Sequence, residues 1–157
     1  MKVRNATIKD RQAITQIWNA EIRNGVSTFT TAEKSIEAVG DAIERDNVVV
    51  VEHGTHVVGF GALSSFRTGP GYRHTMEHSI YLDASSQGRG WGGALLKALE
   101  KKAKRKGTRV LVAAISGENA GAVQFHSRLG YTKVAEMPEV GYKFGRWLDL
   151  VLMQKML

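Results

Sequence analysis

Polar and apolar positions alternate between two periods along this chain, and each switch of period marks an element. Val3 to Ala6 alternates as a short strand. Thr7-x-x-Asp10 resembles a capping box, and Ile14, Ile17, Trp18 and Ile22 follow at helical spacing until Asn24-Gly25 stops the run. Thr30-x-x-Glu33 predicts a second cap, ahead of Ile36, Val39 and Ile43. Val48 to Glu52 and His56 to Ser65 predict a hairpin joined at His53-Gly54-Thr55. Arg67 to His74, with Gly69-Pro70-Gly71, predicts a loop before a strand at Met76 to Leu82.

The second half is read in the same way. Trp91, Leu95, Ala98, Leu99 and Ala103 form one apolar face of a helix over 90–106, closed by Gly107. Arg109 to Ile115 is a nearly continuous apolar run, the signature of a strand buried on both faces. Ala120 to Leu129 predicts a short helix, and Tyr131 to Gly141 and Arg146 to Lys155 predict two final strands with a turn at Lys143 to Gly145. The order is β-α-α-β-β-β-α-β-α-β-β. It predicts an α/β protein: a central mixed, mostly antiparallel sheet with helices on both faces.

At 157 residues, without linker or repeat, the chain is expected to form one domain over residues 1–157. It has no cysteine, which excludes a disulfide framework, a thiolate metal site and a cysteine nucleophile. None of its five histidines has zinc-enzyme spacing, so no metal is expected. No apolar run reaches membrane-span length and no signal pattern opens the chain, so a cytoplasmic location, with no membrane partner, is expected. The net charge is +7, much of it in Lys97, Lys101, Lys102, Lys104, Arg105 and Lys106. That cluster reads either as a solvated helix face or as a positive field for a polyanionic cofactor. It lacks the stacking platform or recognition helix of a nucleic-acid binder, and no nucleic-acid partner is expected.

The chemistry centres on Gln87-Gly88-Arg89-Gly90-Trp91-Gly92-Gly93, between a strand and a helix. Glycines there bare backbone N–H groups at the positive end of a helix dipole, a site suited to a pyrophosphate. Gly88-x-Gly90-x-x-Gly93 also matches the dinucleotide fingerprint literally. The context argues against that reading. The turn is not in a first βαβ unit, and the residues some 20 positions on are Ala113, Ala114 and Ile115, with Glu118 the nearest acid. No P-loop pattern is present.

Read instead as Gln87-x-x-Gly90-x-Gly92, the turn resembles the pyrophosphate loop of the GCN5-related N-acetyltransferase superfamily. Asn119, Phe125-His126 and Leu129-Gly130-Tyr131 resemble that superfamily's second cofactor segment. Thr75-Met76-Glu77-His78-Ser79-Ile80-Tyr81-Leu82 and Val140-Gly141-Tyr142-Lys143-Phe144-Gly145-Arg146-Trp147-Leu148-Asp149 are similar to its phosphinothricin and methionine-sulfoximine acetyltransferases. The resemblance implies acetyl-CoA as cofactor and a small-molecule amine as substrate. Backbone groups of Ile80, Tyr81 and Leu82 would serve the pantetheine arm, amides of Gly88, Arg89, Gly90, Trp91, Gly92 and Gly93 the pyrophosphate, and Asn119 the arm as well as a helix cap. It further implies a bulge in the Met76–Leu82 strand and a homodimer, with Ser27 to Thr30 reaching a neighbouring active site.

Acetyl transfer to an amine needs a base to remove the ammonium proton, donors for the developing oxyanion, and a proton for the leaving thiolate. Glu77, on the strand leading into the turn, is the candidate base; an edge carboxylate paired with an arginine is the plainer alternative. His126 stands where many superfamily members carry a tyrosine that protonates the thiolate. Regular alternation would put Glu77, Ser79 and Tyr81 on one face and His78, Ile80 and Leu82 on the other. Arg67 and Arg73 are candidates to grip an acceptor carboxylate with paired hydrogen bonds. Tyr72, His78 and Ser79 are further candidate substrate contacts, and Phe29, Phe144 and Trp147 are pocket walls or core. The expectation is direct transfer from acetyl-CoA to a small amino acid or analogue. Transfer to a protein N-terminus or polyamine, or a non-enzymatic coenzyme A-binding module, are the alternatives.

Overall fold

The computed structural model describes residues 1–157. Seven strands form one sheet in the order β1-β2-β3-β4-β5-β7-β6. They are β1 (Lys2–Asn5), β2 (Val48–His53), β3 (His56–Ser65), β4 (Thr75–Leu82), β5 (Val110–Ser116), β6 (Thr132–Lys143) and β7 (Arg146–Met156). Only β4 and β5 run parallel. Four α-helices, α1 (Arg11–Asn24), α2 (Ile36–Glu44), α3 (Trp91–Arg105) and α4 (Ala120–Arg128), complete the mixed α/β architecture. No helix is long and apolar enough to cross a membrane.

Both faces of the sheet are covered, and the four consecutive valines of β2 show why. Val48 and Val50 turn to one side, where Ile14, Val39 and Ile43 of α1 and α2 pack with Phe60 and Ala62. Val49 and Val51 turn to the other, where Leu95, Leu96, Leu99 and Ala103 of α3 pack with Leu63, Leu111, Ala113 and Ile115. A strand buried on both faces reads as an unbroken apolar run because alternation places each neighbour in a different core. Complete burial of an aliphatic side chain stabilises by about 1.5–3 kcal/mol, so these two layers supply much of the drive to fold.

Several local expectations are corrected. The cap of α2 is Ser35, whose Oγ accepts from the Ala38 N–H at 3.1 Å, not Thr30. Thr30 instead accepts the Ala32 N–H within the loop, and Asn19 captures both backbone groups of Lys34 at 2.8 and 2.9 Å. β4 carries no bulge: its register against β3 runs unbroken from Ser65↔Met76 to Gly59↔Leu82. Irregularities fall instead in the β2–β3 and β6–β7 pairs. Lys102 does not belong to a solvated face. Its side chain is 1% exposed and its ammonium is paired with Asp46.

Candidate active site

The site is a consequence of sheet topology. β4 and β5 pair from Thr75↔Val110 to His78↔Ala113 and then separate. β4 stays with β3 as far as Leu82, while β5 stays with β7 as far as Ser116. Backbone groups of β4 beyond His78 that point toward β5 therefore have no strand partner. The gap opens a pocket of about 260 Å³ through the sheet. Unbroken alternation puts Glu77, Ser79 and Tyr81 on the α1/α2 face and His78, Ile80 and Leu82 on the α3/α4 face. Glu77, Ser79 and His126 nevertheless line the same pocket, because the gap joins the two faces.

Glu77 is half-buried, and loss of hydration raises its carboxyl above the usual range. Across the gap, His126 of α4 is buried, and its Nδ1 lies 2.8 Å from the Ala122 carbonyl oxygen one turn earlier. A carbonyl only accepts, so Nδ1 carries the hydrogen. Burial lowers the imidazole pKa, with the Ala122 bond and Glu100 opposing, so the ring is held neutral with a lone pair on Nε2. Nε2 is buried and has no protein partner. In this state His126 can accept a proton, and it can donate one from Nε2 only after accepting.

His78 stacks on His126, with ring centroids 5.1 Å apart, and Tyr131 meets both edge-on. Both His78 nitrogens, Ser116 Oγ and the Tyr131 hydroxyl also lack partners. Three of these residues, His78, Ser116 and His126, line the central pocket and mark a place prepared for polar company, since an unsatisfied buried group costs about 1–3 kcal/mol.

A second groove, of about 850 Å³, runs from this pocket to the start of α3 and is lined by Ile80, Tyr81, Leu82, Gly88, Gly92, Asn119 and His126 among others. Gly88 and Gly90 adopt φ +74° and +75°, and α3 begins with Gly90 and no side-chain cap. Its first amides are thus free to donate. Beyond the adjoining backbone and neighbouring residues, nothing lies within 4 Å of a Cβ built on Gly88, Gly90 or Gly93, so the cradle has room for a bulky anion. The Arg89 guanidinium lies 5.3 Å from the Trp91 ring, which itself packs on His53. Asn119 caps α4 by accepting the Ala122 N–H through Oδ1 at 2.9 Å, leaving Nδ2 to donate. Glu118, the nearest acid for a dinucleotide ribose, is engaged by Arg146.

The remaining candidates are less concentrated. Arg67, Tyr72 and Arg73 line a separate recess with Ser65, Met76 and Lys106. That recess meets another at Ser65, which contains Lys34, Arg45 and Asn47 and shares Thr28, Ser79 and Tyr81 with the central pocket. Lys34 and Arg45 carry no local motif and escape a sequence reading; the α1–α2 loop brings in Lys34, and the C-terminal end of α2 brings in Arg45. Phe29 lines the central pocket, together with Ser27 and Thr28 of the same chain. Phe144 and Trp147 are neither pocket wall nor core: they are 55% and 63% exposed on the β6–β7 hairpin.

The family model described as Acetyltransferase (GNAT) domain matches residues 3–152. The L-methionine sulfoximine/L-methionine sulfone acetyltransferase of Salmonella typhimurium is 37% identical over 159 residues, covering 98% of this chain and 93% of that one. The phosphinothricin N-acetyltransferase of Alcaligenes faecalis is 30% identical over 154 residues, covering 93% and 77%. A Salmonella typhimurium acetyltransferase solved with its cofactor acetyl-CoA superposes with a TM-score of 0.95 at 36% identity, covering 100% of this chain and 94% of that one. This chain belongs to the GNAT acetyltransferase family.

Proposed function

We propose that this protein transfers the acetyl group of acetyl-CoA directly to the amino group of a small amino acid or analogue, of the methionine sulfoximine, methionine sulfone or phosphinothricin type. The observation that carries the reading is the β4–β5 gap, which brings Glu77 from one sheet face and His126 from the other into a single pocket. The relatives' substrates support the choice of acceptor.

Acetyl-CoA, when bound, supplies an activated thioester with a thiol leaving group. The cradle fits it: open space at the glycines, uncapped amides at the start of α3, and a groove leading to the gap. Amides of Gly88 to Gly93 would hold the diphosphate with Arg89 beside them, and free backbone groups of Ile80 to Leu82 and the Asn119 amide would hold the arm. Glu77 takes the first ammonium proton, directly or through water, and passes it to solvent. His126 Nε2 takes the second and returns it to sulfur. The balance closes: the nitrogen gives up two protons, one ends on the thiol and one leaves. His78 backs His126, and Ser79 faces the acceptor. The acceptor's carboxylate is held by Lys34 or Arg45, in the recess that shares Thr28, Ser79 and Tyr81 with the central pocket, or by Arg67 or Arg73 beside Tyr72 in the recess beyond it.

The protein acts in the cytoplasm as a homodimer in this reading. The exposed Val140, Tyr142, Phe144 and Trp147 of the β6–β7 hairpin support the dimer as an apolar face to cover. Thiol release from acetyl-CoA, followed across methionine sulfone, methionine sulfoximine, phosphinothricin, polyamines and alanyl peptides, tests the function. Turnover confined to the amino-acid analogues is expected. Turnover confined to peptides or polyamines points to the other acceptors, and binding without turnover to a non-enzymatic module. Alanine at Arg67, Arg73, Lys34 or Arg45 is expected to raise the acceptor KM most at the residue that grips the carboxylate.

A further inference from the structure

The stretch Gly141-Tyr142-Lys143 of β6 lies outside both the cofactor cradle and the Glu77–His126 pair, yet it reaches the acceptor wall. Lys143 is 1% exposed. Its Nζ donates to the Gly25 carbonyl at 2.6 Å and to the Thr28 carbonyl at 2.9 Å. Those carbonyls belong to the loop between α1 and α2. The Glu21 carboxylate, itself close enough to offset part of the Lys143 charge, accepts from the Ser27 hydroxyl and, at 3.3 Å, from the Ser27 N–H. Phe29, two residues on, lies close against Gly141: a Cβ there would overlap its ring. Ser27, Thr28 and Phe29 are the loop residues that line the central pocket with Glu77 and Ser79.

A buried ammonium carries a desolvation cost that an apolar side chain of the same length would avoid, but that side chain would leave the Gly25 and Thr28 carbonyls without this donor. What an ammonium adds is direction. Two short bonds to two carbonyls three residues apart fix the curvature of the loop between them, which apolar packing alone does not.

We infer that Lys143 and Gly141 are positioning residues that set the acceptor wall, holding Ser27, Thr28 and Phe29 opposite Glu77 so that the depth of the pocket selects the acceptor. This rests on the acetyl-transfer reading above. Lys143 acts through the loop carbonyls and Gly141 through the Phe29 ring, and neither touches the reacting atoms.

The test compares Lys143→Met, which keeps length and burial but removes the donors, with Lys143→Arg, which restores donors, and with Gly141→Ala, which displaces Phe29. Hydrogen exchange of amides 25–30 is measured alongside steady-state kinetics on methionine sulfone and on amino acids with shorter and longer side chains. In Lys143→Met, faster exchange confined to this loop is expected, with an acceptor KM raised on the order of 10-fold. The KM for acetyl-CoA should be unchanged and the ranking of acceptors flattened. Lys143→Arg should recover part of the ranking, and Gly141→Ala should alter it even if the lysine variant does not fold. Unchanged exchange in the loop, or faster exchange with an unchanged acceptor ranking, overturns the inference. Wild-type protein that turns over no amine counts against the transferase reading instead and takes the selection with it, whereas the loop tether is still judged by exchange.

Discussion

The imidazole of His126 donates from Nδ1 to the Ala122 carbonyl at 2.8 Å, one helical turn back along α4. That single bond decides the chemistry of the ring, because it leaves Nε2 as an acceptor in a buried pocket with no protein partner. In the proposed mechanism a histidine in this state begins the reaction as a base. His126→Gln, which keeps a polar side chain but cannot shuttle a proton between pH 5 and 8, should lower kcat by about 10²–10⁴. Coenzyme A affinity, measured by calorimetry, should stay within about threefold. Near-normal kcat would remove His126 from the proton path.

Glu77 is the complementary case. Burial raises its carboxyl, so the base form is lost as pH falls through a value above the ordinary 4.5. The rate profile of the wild type is expected to show an acidic limb displaced upward from that value. Glu77→Gln should lose about 10²–10⁴ in kcat and alter that limb, with coenzyme A binding retained. An unchanged profile with unchanged turnover would assign the base elsewhere.

The stacked histidines make a stability prediction. Burial, with a smaller contribution from His126, pushes His78 down to about 3 from its ordinary 6.5. Between those values the unfolded chain binds a proton that the folded chain refuses. Stability is therefore intact above pH 6.5 and falls as pH drops below it, by up to about 1.4 kcal/mol per pH unit for each such imidazole. Urea unfolding at pH 7.5 and 5.5 should show this loss, and His78→Phe, which keeps a ring against His126, should show less of it.

Asp46 holds the buried Lys102 ammonium from a residue with φ +54°. Asp46→Asn keeps a side chain that tolerates this backbone but removes the charge, and is expected to cost about 1 kcal/mol or more. Asp46→Ala should cost more, since it adds left-handed strain of about 1–2 kcal/mol. The pairing lowers the Asp46 carboxyl, so its contribution is present above the ordinary value of 3.8 and fades as pH falls below it. Denaturation of the two variants at pH 7 and pH 3.5 checks both the order and the sign.

These sites differ in how far the sequence discloses them. Periodicity alone places α3 and β5, because Leu95, Leu99, Leu111 and Ala113 each obey a rule set by their immediate neighbours. Gly88 and Gly90 announce their cradle because a positive φ leaves little choice of residue. What stays hidden depends on partners far along the chain. The cap of α2 moves from Thr30 to Ser35 because Asn19 binds the backbone of Lys34. Lys102 leaves a basic run for the interior because Asp46 waits 56 positions earlier. Lys143 is hidden for the same reason, with carbonyl partners at Gly25 and Thr28. Trp147 and Phe144 read as pocket wall or core, and they reach the surface because the β6–β7 hairpin runs on past Leu150, where β7 loses β5 as its neighbour.

The proposed transferase has free amides at the start of α3 holding the diphosphate of acetyl-CoA, with its thioester at the β4–β5 gap. Calorimetric titration of coenzyme A into wild-type protein and into Gly90→Val, each shown to be folded by circular dichroism, tests it most directly. Saturable heat at 1:1 per chain is predicted for the wild type, with affinity lost or reduced at least tenfold in the variant, where a branched side chain stands at φ +75° in the cradle. Absence of heat with the folded wild type, or equal binding by both proteins, would mean that these amides hold no diphosphate.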